Sequence, residues 1–73
     1  MPFQIVMDHN GDTRHQFDPA DVKELERAQR RFKQLTGLGF TAAARVGEGQ
    51  SRVVKTFDPT VEETLFIPRL IGG

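Results

Sequence analysis

Apolar positions along this chain change period twice, and the changes divide it into three parts. From Phe3 to Asp8 they alternate: Phe3, Ile5 and Met7 share one side and Gln4, Val6 and Asp8 the other, which predicts a strand with one strongly apolar face. His9-Asn10-Gly11-Asp12 follows, and Asn-Gly is the favoured pair for a two-residue hairpin turn needing positive φ at both positions. Thr13 to Phe17 then returns as a second strand, with Thr13, His15 and Phe17 on one face.

From Asp18 to Gly37 the period lengthens. Val22, Leu25, Ala28, Phe32 and Leu35 recur at steps of three and four and make one stripe. Asp18 is the expected N-cap, Pro19 suits the first helical position and Asp21 completes a capping-box-like arrangement. Gly37 is expected to take the left-handed conformation beyond the last turn, with Leu38 folding back on the stripe. The result is an amphipathic helix of about 18 residues.

Period two then resumes in Phe40, Ala42, Ala44 and Val46. Ala42-Ala43-Ala44 is also good helix sequence, but Gly37 and Gly39 upstream and Gly47-Glu48-Gly49 downstream leave too few residues, which favours a strand. Ser51 to Phe57 reads as a fourth strand. Gln16-Phe17-Asp18-Pro19 is echoed by Thr56-Phe57-Asp58-Pro59, predicting a second capped start that supports one 3₁₀-like turn. Thr64 to Ile71 is the most apolar segment, and part of it reads as a last strand that should end, bulge or turn outward at Pro68, which has no N–H to give a ladder. Phe3, Phe17, Phe32, Phe40 and Phe57 are expected inside, and Phe66 outside next to Arg69.

Two hairpins, one long helix and a late strand give an α+β layout, ββαββ(β), with the helix packed on a mixed sheet. The first and last strands are the most apolar and belong at the centre, side by side and parallel; the helix and second hairpin supply the crossover. Residues 1–71 form the expected single domain and Gly72-Gly73 a tail.

With ten basic and ten acidic side chains the formal charge is zero, which argues against a general polyanion-binding surface. Arg27, Arg30, Arg31 and Lys33 nevertheless crowd the second half of the helix, an acids-early, bases-late order that also suits its dipole. There is no cysteine, no apolar run long enough to span a membrane and no secretory pattern, so a cytoplasmic address is expected. Catalytic chemistry is thin. Ser51 with His9 or His15 and Asp8 or Asp58 lacks any nucleophile-turn context, and the histidines with Asp8 and Asp12 match no metal-ligand spacing. No enzyme activity and no cofactor are expected.

The element order and the ending Glu62-Glu63-Thr64-Leu65-Phe66-Ile67-Pro68-Arg69-Leu70-Ile71-Gly72-Gly73 resemble the ubiquitin-like β-grasp proteins, both ubiquitin and the small sulfur carriers of molybdopterin synthesis. The resemblance implies a protein partner, with Phe66, Arg69 and Leu70 as contacts and Arg27, Arg30 and Arg31 as a basic helix face. For a modifier or sulfur carrier it implies an ATP-dependent activating enzyme, with Gly73 as acyl carrier and Gly72 its unhindered neighbour. The chain departs from ubiquitin in its lysines, which are only Lys23, Lys33 and Lys55, and in Ile71, where ubiquitin is basic. A non-catalytic binding or accessory module is the leading expectation, ahead of a modifier or carrier and of a nucleic-acid-binding accessory protein using the basic helix face.

Overall fold

A computed structural model describes residues 1–68; residues 69–73, and with them the expectations placed on Arg69, Leu70, Gly72 and Gly73, lie outside the described part. Five strands and one helix follow in the order β1 (Phe3–Asp8), β2 (Gly11–Gln16), α1 (Val22–Gly37), β3 (Thr41–Gly47), β4 (Gln50–Val53) and β5 (Glu63–Ile67). The strands form one sheet in the order β2-β1-β5-β3-β4. β1 and β5 are parallel neighbours at its centre, and the other pairings are antiparallel. This is the ββαββ(β) layout expected from the periodicity, a β-grasp topology with one helix on a mixed, open sheet.

Local chemistry sets the ends of α1 differently from the expectation. Asp21, not Asp18, is the N-cap, its carboxylate accepting from the backbone N–H of Lys23 (3.0 Å) and Glu24 (3.3 Å). Asp18 instead closes a turn: its side chain accepts from Ala20 N–H at 2.9 Å and its carbonyl from Asp21 N–H at 3.0 Å. Three residues of the predicted first turn are thereby spent on a tight bend, and Val22, expected on the apolar stripe, is 68% exposed.

At the other end Gly37 is still helical and Leu38 is the C-cap. Gly39 takes the positive φ, +104°, and its N–H bonds Thr36 C=O while Phe40 N–H bonds Leu35 C=O. These are the paired bonds of a Schellman close. Phe40, rather than Leu38, packs back beside Leu35, and Leu38 is exposed.

The first hairpin bends at His9-Asn10. Asp8 accepts from Asn10 N–H at 2.8 Å, and only Gly11 has positive φ, so Asn10 does not share the left-handed conformation the Asn-Gly pair predicts. The aspartate holds the bend with ordinary φ values, leaving one position for glycine to relieve. In the second hairpin the β3–β4 register shifts between Arg45 and Gly47, which leaves Val46 unpaired and exposed. β4 ends at Val53, short of the expected Phe57, because the second Phe-Asp-Pro stretch forms a turn of its own.

The core lies between α1 and one face of the sheet. Val6, Phe66 and Ala42 occupy one row across β1, β5 and β3, and Phe32 of α1 packs on it with Leu35, Phe40, Val54 and Phe57. Ala28 and Ala42 keep the layers close enough for the Phe32 ring to meet Phe66 at 5.7 Å and Phe57 at 6.0 Å. Phe57 also meets Phe17 at 5.9 Å. The two Phe-Asp-Pro copies are therefore equivalent turns, Asp58 bonding Thr60 N–H at 2.9 Å as Asp18 bonds Ala20, and each turn delivers a phenylalanine to the same cluster.

Candidate functional site

The helix covers the side of β1 that carries Gln4 and Val6, not the side of Phe3, Ile5 and Met7. Gln4 explains how a polar residue can face the core. It is fully buried, its Nε2 donates to Ala28 C=O at 2.9 Å, and its Oε1 accepts from Arg31 Nη1 at 2.8 Å. Both ends of the amide are satisfied, so its burial costs little.

Among the described residues no helix lies over the opposite face. There Arg14, Ile5, Leu65, Ala43 and Val53 stand in one continuous row across all five strands in sheet order. Phe3, Met7 and Ile67 flank the row. Ile5 and Ala43 are buried by their neighbours, Leu65, Phe3 and Met7 are half-buried, and Val53 and Ile67 are exposed at 62% and 37%. Glu63 and Arg45, on the same side, pair at 2.9 Å at the rim. A shallow depression of about 230 Å³ opens beside the row between Arg45, Gly49, Gln50, Ser51 and Leu65. The row was missed in the sequence because Phe3, Ile5 and Met7 look like core; the charges at Arg14, Arg45 and Glu63 were the signal that their face is bordered by solvent.

Phe66, expected outside as a partner anchor, is instead fully buried at the centre of the helix-facing layer. The parity of β5 puts Thr64 and Phe66 inward and leaves Leu65 and Ile67 for the open face. The basic helix face also divides. Arg27 and Arg31 line a cleft with His15 and Glu24 between α1 and β2, whereas Arg30 lines a separate groove with Glu26, Gln29 and Lys33.

Ser51 on β4 and His15 on β2 lie at opposite edges of the sheet, with three strands between them, so they do not assemble a triad. Asp58 is occupied in its turn: hydrogen bonds from the Thr60 hydroxyl and then the Thr60 backbone hold its carboxyl below the ordinary carboxylate value. Among the described residues no group of three His, Cys, Asp or Glu side chains could hold a metal ion, and no helix is long and apolar enough to cross a membrane. Burial lowers the pKa of His15, and Arg31 lowers it further.

Comparison with known proteins returns no matching family model, no matching curated protein and no matching solved structure.

Proposed function

We propose that this chain is a non-catalytic binding module whose open sheet face docks a protein partner. The observation that carries the reading is the apolar part of that row, Ile5-Leu65-Ala43-Val53 with Ile67 beside it, left uncovered by the helix and bordered by Arg14 and the Arg45–Glu63 pair. Such a strip is too flat to enclose a metabolite and suits a partner that presents apolar side chains, one of which fits the depression beside Leu65, with polar groups meeting the rim. The beginnings of a site are thus apolar area, a small recess and charges that fix orientation.

The test is affinity for a captured partner across three chains. Ile67→Glu and Val53→Glu, both at exposed positions, should weaken binding about tenfold or more with the fold intact, while deletion of Gly72 and Gly73 should leave it unchanged. Loss of binding on removing the glycines alone counts against the module.

That result would favour the second reading, a modifier or sulfur carrier activated at Gly73. One feature supports it: the β-grasp layout itself, with β5 parallel to β1 at the sheet centre. It predicts an ATP-dependent adenylate, thioester or thiocarboxylate on the terminal glycine, seen by intact-mass analysis of the endogenous protein.

A further inference from the structure

The cleft between β2 and α1 gathers arginines without a matching set of acids. It has a volume of about 390 Å³ and is lined by Arg14, His15, Gln16, Phe17, Glu24, Arg27 and Arg31. Arg27 and Arg31 are one helical turn apart, so they stand on the same side of α1 and repel each other. Among the described residues Glu24 is the one carboxylate lining the cleft, and its Oε1 accepts from Asp18 N–H at 3.1 Å. Among the described residues the one ion pair, Arg45–Glu63, lies elsewhere.

Arg31 is also held in place. Its Nη1 donates to Gln4 Oε1, and Gln4, fully buried, is tied in turn to the helix backbone at Ala28. The bond uses one of the five donors of the guanidinium and leaves the others to a ligand. A fixed, half-buried guanidinium beside a second one is the arrangement that receives an oxoanion, since the ordering is complete before the ligand arrives.

We propose that this cleft binds a phosphate group, with Arg31 and Arg27 as its direct ligands and His15 as a third donor when protonated. Protonation of His15 matches the cleft to phosphate rather than to a single carboxylate. Arg27 and Arg31 against Glu24 leave one positive charge on the cleft side with His15 neutral and two with it protonated, and a phosphomonoester carries about −1.5 to −2 at neutral pH. The charged groups facing His15 are Glu24, Arg27 and Arg31 on the helix; Arg14, its neighbour along β2, projects to the open face. Burial and then Arg31 lower the His15 pKa in the empty cleft; a bound dianion opposes that effect. The inference is independent of docking at the open face, which is on the other side of the sheet.

The experiment is an NMR titration of the full chain with inorganic phosphate at constant ionic strength. The readouts are the Nε–H signals of Arg27 and Arg31 and the ring signals of His15. Saturable shifts at all three, a raised His15 pKa in the bound form, an affinity about fivefold or more weaker in Arg27→Gln, and no change in Lys33→Gln support the site. Arg27 is exposed, so its replacement tests the ligand without disturbing the buried Gln4 bond. Two further arms assign the source of the phosphate: tighter binding of a phosphoserine peptide than of inorganic phosphate points to a modified protein, and tighter binding of a small phosphomonoester to a free metabolite. Non-saturating shifts, or the same response to chloride, overturn the proposal. So does binding of an oligonucleotide alone that Lys33→Gln weakens as much as Arg27→Gln, which describes a diffuse basic helix.

Discussion

At the scale of single residues, the polar side chains that matter are those tied into both layers. Gln4 fastens β1 to α1 through two bonds, one to the Ala28 carbonyl and one to Arg31. Gln4→Leu keeps the volume but strips Arg31 of its acceptor, and should cost about 1–2 kcal/mol, read as a lower urea midpoint with an unchanged m-value. Its burial was not legible in the sequence, where Gln4 sits in an alternating strand and reads as solvent-facing; only the satisfied geometry of both amide ends shows why it is tolerated. His15 gives a pH prediction. Its folded pKa lies below its ordinary value of 6.5, first from burial and then from Arg31, so over that window the unfolded chain binds more protons. Stability should therefore be full above the ordinary histidine value and fall as pH drops through the folded pKa, without further loss from this group below it. Urea midpoints measured from about pH 7.5 to about pH 5 should show that slope, reduced in His15→Gln.

At the scale of the element, the helix shows what short-range signals can and cannot fix. Its existence and most of its stripe followed from spacing alone: Ala28 and Phe32 are buried and Leu25 and Leu35 half-buried, whereas Val22 is exposed. Its ends did not, because Asp18 and Asp21 are both good caps, as Gly37 and Gly39 are both good stops, and the choice depends on which turn the neighbouring strand permits. Stability measurements separate the two pairs. Asp21→Ala removes the bonds to Lys23 and Glu24 N–H and should cost about 1 kcal/mol. Gly39→Ala forces a Cβ into a positive-φ position and should cost about 1–2 kcal/mol. Gly37→Ala falls at a helical position with open space around the new methyl group and should stabilise by about 0.5 kcal/mol. The repeated Phe-Asp-Pro was legible as repeated chemistry, but the pairing of its phenylalanines at 5.9 Å depends on the strands that bring the two turns together.

At the scale of the whole molecule, the sheet order could be reasoned out because the most apolar strands must be central and a parallel pair needs a crossover. Which face the helix takes could not. Alternation in β1 and β5 defines two sides, and hydropathy alone favours covering Phe3, Ile5 and Met7; the fold covers Gln4, Val6 and Phe66 instead because Phe32 and Phe57 fill the space above that side with three interlocking rings. The apolar side is thereby left open, and the functional reading rests on that inversion. Its most direct test is the binding of one partner protein to the unaltered chain, to Ile67→Glu and to the chain lacking Gly72 and Gly73, measured side by side by calorimetry. The open-face account predicts affinity reduced about tenfold or more by Ile67→Glu and unchanged by the deletion. Affinity insensitive to Ile67→Glu and abolished by loss of the two glycines would contradict it.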